Sequence, residues 1–222
     1  MKTDYLYKIT GLNFAYLSQE SIFENCNFQI GKNKTTLITG ENGSGKTTLC
    51  RLLSGLLQDF EGEIQIDGNS INSLSVPELS TKIIYIKQGT VENLIGTTPF
   101  EDLGIWQHKF RSKDNEEKKF TRTNALHRFH LQDYAQSPVW EMSSGQIKRI
   151  GLSALLLANE QFWMLDEPSA GLDDNLIKIL LNILRERKTQ NLGTLILSHR
   201  QSYFKEIIDT HLNISDKNIQ QV

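Results

Sequence analysis

The sequence predicts an α/β fold in which a parallel sheet is flanked by helices, with an antiparallel β part at the start and a helical lobe inserted in the middle. Three observations predict it. The run Thr35-Thr36-Leu37-Ile38-Thr39 is short and β-branched, and a glycine-rich loop and then a helical pattern follow it. Farther on, "QFWML", an amphipathic stretch over about 174–188 and "TLILS" read as strand, helix and strand, the alternation that builds parallel sheets. From about Thr90 to Met142 the strand signals fade and charges rise.

Taken in order, "YLYKITGLNFAY" and "IFENCNFQI", followed by a turn at Gly31-Lys32-Asn33, read as antiparallel strands. After the glycine-rich loop, Leu49, Leu52, Leu53 and Leu56 fall on one helical face. "GEIQIDGNSI" alternates apolar and polar residues around Asp67-Gly68, a hairpin signal. The charge run "RSKDNEEKK" reads as a solvated helix face or loop. Beyond Ser143, the residues Ile147, Ile150, Gly151, Ala154, Leu155 and Ala158 recur at helical spacing. The expected organisation is a single domain, with a core from 1–88 and 143–222 and a helical sub-lobe over 89–142.

A chain of 222 residues can bury a full core but has no room for a second complete catalytic domain. Its formal net charge of -2 creates no field that would draw nucleic acid, so no nucleic-acid partner is expected. No stretch approaches the roughly 18 to 20 apolar residues of a membrane span, and the N-terminus lacks the order of a signal peptide. A soluble, cytoplasmic protein is expected. Cys26 and Cys50 have no metal-type spacing and read as small buried thiols without chemistry. His127 and His130 stand three apart on an expected helix, but no further ligand lies near in sequence, so they read as surface imidazoles rather than a metal site.

The chemistry is concentrated in two strings. "GENGSGKTT", from Gly40 to Thr48, fits G-x-x-x-x-G-K-[ST] between an expected strand and an expected helix. Gly43 and Gly45 let the backbone curl until successive N–H groups face a phosphate, and the helix adds its positive end. Lys46 would reach the β- and γ-phosphates, and the Thr47 hydroxyl would ligate Mg²⁺. In "FWMLDEP", Asp166 and Glu167 stand where an apolar strand runs out. A carboxylate pair there is costly unless it meets a cation. Asp166 is therefore assigned to Mg²⁺ and Glu167 to the attacking water as general base, against the plainer reading of a helix or loop cap.

With these strings the chain resembles the ABC ATPase family, a P-loop NTPase core with an N-terminal antiparallel β subdomain and a helical sub-lobe. "MSSGQ", from Met142 to Gln146, is similar to the family signature LSGGQ. Gln88 resembles the Q-loop glutamine, "SAGLD" from Ser169 to Asp173 the D-loop, and His199 the switch histidine. Tyr16, thirty residues before Lys46, resembles the aromatic that stacks on adenine. The resemblance implies ATP and Mg²⁺ as cofactors and a head-to-tail dimer with two ATP molecules. One copy would contribute Tyr16, Asn42, Gly43, Ser44, Gly45, Lys46, Thr47 and Thr48. The other would supply Ser143, Ser144, Gly145, Gln146 and the D-loop Asp173. Thr47, Gln88 and Asp166 would hold the metal, and Glu167, His199, Lys46 and Gln88 would carry catalysis. Ser144 departs from the family by replacing the first glycine of the signature pair, where its side chain could crowd the phosphate or point aside.

A narrower resemblance lies in "ENLIGTTPFEDLGIW", from Glu92 to Trp106, which is similar to the energy-coupling-factor ATPases that serve uptake of vitamins and of cobalt or nickel ions. It implies a membrane scaffold whose short coupling helices dock on the sub-lobe, a separate substrate-capture membrane protein, and a homodimer or a heterodimer with a sister ATPase. The chain would then be peripheral on the inner face of the cell membrane. Soluble family members of translation carry two cassettes and those of DNA repair carry long coiled coils, and neither feature is present in the sequence. A regulatory subunit that binds ATP without turnover usually lacks the base, the switch histidine or the signature, whereas Glu167 and His199 are both here.

Overall fold

A computed structural model describes residues 4–17, 20–88, 91–110 and 121–222. The charge run at 111–119 lies outside the described residues. The chain divides into two compact units. The first comprises 1–85, 161–168 and 181–222, and the second comprises 86–160 and 169–180. The segment 143–160 groups with the second unit.

The first unit holds two sheets. Strands β1 (Tyr5–Ala15) and β2 (Ser21–Gly31) are antiparallel, as the two extended runs led one to expect. Strand β4 (Glu61–Ile66) pairs on the other edge of β1, Tyr7 opposite Ile66 and Ile9 opposite Ile64. Bulges interrupt β1 after Ile9, and the backbone donors they release are taken by asparagines. Gly11 N–H donates to Asn27 Oδ1 at 2.9 Å, and Asn25 N–H donates to Asn13 Oδ1 at 2.9 Å. The expected hairpin is present: β4 turns into β5 (Asn69–Ser70) through Asp67 and Gly68, with φ of 52° and 81°. Two left-handed residues match the twist of a two-residue hairpin.

The second sheet runs in the order β10-β9-β3-β8-β7-β6. Its strands are β3 (Thr35–Gly40), β6 (Ile83–Ile86), β7 (Phe162–Asp166), β8 (Thr194–Leu197), β9 (Thr210–Ser215) and β10 (Asn218–Gln221). β3 lies parallel to both β8 and β9, and β7 parallel to β8. β10 closes the edge antiparallel to β9. Every residue of β7 and β8 is buried, as strands covered on both faces must be. One apolar cluster joins the two sheets through Tyr7, Phe23, Leu49, Leu52, Met164 and Leu197.

Helix α1 (Lys46–Leu53) buries Leu49, Leu52 and Leu53 as expected, but Leu56 is 57% exposed. The helix stops one turn early. Gly55, at φ 73°, donates to Leu52 O at 3.0 Å, and Leu56 N–H donates to Arg51 O at 2.9 Å. That pair of bonds is a Schellman cap, which glycine makes possible and which turns Leu56 off the apolar face. Helix α2 (Val76–Lys82) starts from a capping box between Ser75 and Glu78 and leads into β6.

In the second unit, helices α3 (Pro99–Lys109) and α4 (Arg122–Arg128) both pack on α5 (Ser144–Leu157). Leu103, Leu126, Phe129 and Ile150 are buried there. Helix α6 (Asp174–Thr189) contributes its first half to this unit and its second half to the other. His130 follows the end of α4 with φ 54°, so it does not share a helix with His127. Both imidazoles are exposed, and no metal-type group of side chains occurs among the described residues. No helix of the described residues is long and apolar enough to cross a membrane.

Candidate active site

The loop from Gly40 to Gly45 joins the end of β3 to the start of α1. Gly45 has φ 101°, and a Cβ on it would stand 2.6 Å from Ile22 Cγ2 and 2.9 Å from Phe23 Cζ. Both the conformation and the lack of space demand glycine. Lys46, the first helical residue, is buried and folds back across the loop. Its Nζ donates to the carbonyls of Gly40 at 2.8 Å and Glu41 at 2.9 Å. The first turn of α1 has no side-chain cap and no acidic residue. Amides and a positive helix end of this kind are suited to an anion from outside the helix.

Asp166 is the last residue of β7 and is buried. Its Oδ2 accepts the Thr47 hydroxyl at 2.7 Å and the Tyr85 hydroxyl at 3.3 Å. Its Oδ1 is buried with no hydrogen-bond partner among the described residues. Burial raises its pKa; the Thr47 and Tyr85 hydrogen bonds oppose the rise, the charge of Glu167 adds to it, and Lys46 lowers it. A buried carboxylate oxygen without a donor is costly, and a hard cation would satisfy it. A hydroxyl and a carboxylate side by side are the donors Mg²⁺ accepts while keeping most of its waters, so these residues fit that ion. Cys50 is buried nearby; burial first, and then the charge of Asp166, push its thiol well up and keep it neutral, in line with an unreactive role.

Glu167 follows Asp166 with φ 49°, a strained value for a side chain of this size. Its carboxylate is nonetheless tightly held. Oε1 accepts His199 N–H at 3.0 Å and lies 2.8 Å from His199 Nδ1, while Oε2 accepts the Ser198 hydroxyl at 3.2 Å. Its own N–H donates to Leu197 O at 2.9 Å. The histidine side chain is 48% exposed, and its ring borders an open cleft of ≈ 960 Å³ that the loop residues Gly40 to Ser44 also line. Tyr16 stands half-buried, edge-on to Phe14 at 5.0 Å, with its hydroxyl 3.3 Å from Thr48 Oγ1.

The first unit thus brings together Tyr16, Lys46, Thr47, Thr48, Asp166, Glu167 and His199. Gln88, Ser143 to Gln146 and Asp173 belong to the second unit. There Gln88 is exposed at a bend after β6. Ser143 caps α5, its hydroxyl accepting Gln146 N–H at 3.2 Å while Gln146 Oε1 accepts Ser143 N–H at 2.8 Å. Ser144 opens the helix with its side chain exposed. Asp173 caps α6 by accepting Leu176 N–H at 2.8 Å. Two residues of the site escaped the sequence reading: Tyr85 and Ser198. A lone hydroxyl in the apolar run "IIYI" and a serine just before His199 were the available signals.

A strand, a phosphate loop and a helix beside a buried carboxylate pair at the ends of parallel strands define a P-loop nucleotide-binding protein. The chain belongs to the ABC transporter family, whose model matches residues 23–170. It is an ATP-binding subunit of that family, an ABC ATPase. The cytochrome c biogenesis ATP-binding export protein CcmA of Reclinomonas americana is 35% identical over 216 residues, 97% of this chain and 93% of that protein. Among solved structures, CbiO1 of Clostridium perfringens, part of the ABC transporter complex CbiONQ, superposes with a TM-score of 0.76 at 24% identity, over 99% of this chain and 88% of that one. A dimeric ATP-binding cassette in a post-hydrolysis state with ADP and Pi superposes with a TM-score of 0.79 at 22% identity, over 97% of each chain. These two likenesses carry the fold.

Proposed function

We propose that this subunit hydrolyses ATP with Mg²⁺ as one half of a head-to-tail dimer and powers uptake of a vitamin or transition-metal ion through separate membrane subunits. The observation that carries the chemistry is Glu167, held on both oxygens by Ser198 and His199, next to the partnerless Oδ1 of Asp166. Thr47 and Asp166, together with the Gln88 that the family resemblance implies, would hold Mg²⁺, and the ion would supply positive charge to the phosphates of the nucleotide. Lys46 and the loop amides of Asn42 to Thr48 grip the same phosphates, and Tyr16 supports the adenine. Water attacks the γ-phosphorus, its proton passes to Glu167, and the bond to the bridging oxygen breaks to leave ADP. His199 contacts the γ-phosphate while keeping Glu167 aimed. Ser143, Ser144, Gly145, Gln146 and Asp173 of the second copy close the cage.

The test is Glu167→Gln with ATP and Mg²⁺. Turnover should fall at least about a hundredfold, and an ATP-stabilised dimer should accumulate by size-exclusion chromatography. Unchanged turnover with no such dimer would remove Glu167 as the base.

The segment Glu92 to Trp106 supports the uptake reading, as does the likeness to CbiO1. Within it Asp102 is buried and accepts Ile95 N–H at 2.7 Å and Gly96 N–H at 2.9 Å, so the motif folds as one piece. On this reading the subunit works at the cytoplasmic face of the membrane, bound to a scaffold and a substrate-capture protein. Export is the second reading, favoured by the full-length similarity to CcmA. Reconstitution in vesicles with the membrane subunits encoded beside it separates the two: inward, ATP-driven solute movement supports uptake, and outward movement supports export.

A further inference from the structure

Tyr85 sits near the end of β6, the strand beside β7, with its ring half-buried against the apolar cluster of the first unit. Its hydroxyl lies 3.3 Å from Asp166 Oδ2, the oxygen that also accepts the Thr47 hydroxyl at 2.7 Å. A carboxylate only accepts, so both hydroxyls donate. Two donors arriving on one oxygen fix the plane of the carboxylate, and rotation about its last bond would break both bonds. The other oxygen, Oδ1, is left buried and without a partner among the described residues.

The two donors have different duties. Thr47 would offer a lone pair to a cation while its hydroxyl still donates to Asp166, so it serves two partners. Tyr85 is anchored by its ring in the apolar core and has no such second task. We propose that Tyr85 is a positioning residue for Asp166, its hydroxyl holding Oδ2 so that Oδ1 is presented to the Mg²⁺ of the bound nucleotide. This rests on the reading of Asp166 as a metal-binding group. Partners of this kind, one bond behind a metal-binding oxygen, set the orientation and basicity of that oxygen.

The experiment uses the whole chain in the Glu167→Gln background, where nucleotide is not consumed, and follows Mn²⁺ binding in the presence of ATP by electron paramagnetic resonance. Tyr85→Phe removes one oxygen and keeps the ring. Its Mn²⁺ affinity should fall about tenfold, with ATP binding in the absence of metal and the melting temperature without nucleotide both retained. A merely structural tyrosine would move the melting temperature and leave the metal affinity alone, and that result overturns the proposal. Asp166→Asn is measured alongside. If it abolishes Mn²⁺ binding while Tyr85→Phe matches its parent, the positioning role falls and the metal reading stands. If Asp166→Asn itself binds Mn²⁺ like its parent, both fall together.

Discussion

Glu167 and His199 are joined twice: the backbone N–H of His199 donates to Glu167 Oε1 at 3.0 Å, and the imidazole Nδ1 of the same histidine lies 2.8 Å from that oxygen. The backbone bond survives any substitution of the histidine except proline, whereas the ring bond does not. On the proposed mechanism, His199→Ala should therefore leave Glu167 partly oriented but remove the imidazole's contact with the γ-phosphate. Turnover is expected to fall about a hundredfold while ATP affinity changes little, because on the proposed reading Lys46 and the loop amides grip the phosphates independently. Ser198→Ala, which removes the donor on Oε2, should cost about tenfold. Steady-state turnover and equilibrium ATP titration of both variants check this.

Gly45 and Gly43 both have positive φ, 101° and 85°, yet differ in their surroundings. A Cβ on Gly45 would overlap Ile22 and Phe23, while one on Gly43 would meet open space. Gly43→Ala should cost about 1 kcal/mol, from backbone strain alone. Gly45→Ala adds overpacking against Ile22 and the buried Phe23 and should cost about 3 kcal/mol. Urea unfolding of the two variants gives the comparison; equal losses would show that the close approach to Phe23 is relieved at no cost.

Asp209 ties β9 to β3 and to α6. Its Oδ2 accepts Thr35 N–H at 2.9 Å, and Oδ1 pairs with Lys188 at 2.9 Å. Burial pushes this carboxyl up, but Lys188 and the Thr35 N–H outweigh it and hold it below the usual carboxylate range. The sign follows: a carboxyl depressed in the folded state contributes stability above its unfolded pKa, and that contribution is lost as pH falls through the folded value. Asp209→Asn should lower stability by about 1 kcal/mol at pH 7. The difference between parent and variant should shrink as pH falls below the unfolded value of about 3.9 and vanish only once the pH is below the depressed folded value. Denaturant melts at a series of pH values test it.

What the sequence by itself determined was chemistry written in consecutive residues. The place of the loop from Gly40 to Thr48 and of the pair Asp166-Glu167 was legible because a strand–loop–helix turn, and a carboxylate at a strand end, are built from neighbours along the chain. Strand β3, hairpin β4–β5 and helix α5 were legible for the same reason: period and turn chemistry are local. Leu56 marks where that reasoning fails, since helical spacing promised burial and a backbone cap at Gly55 ended the helix first. Tertiary structure alone decided which hydroxyls serve the carboxylates. Thr47 and Asp166 lie 119 positions apart, and Tyr85 and Asp166 81 apart, so their meeting depends on the order of strands in the sheet.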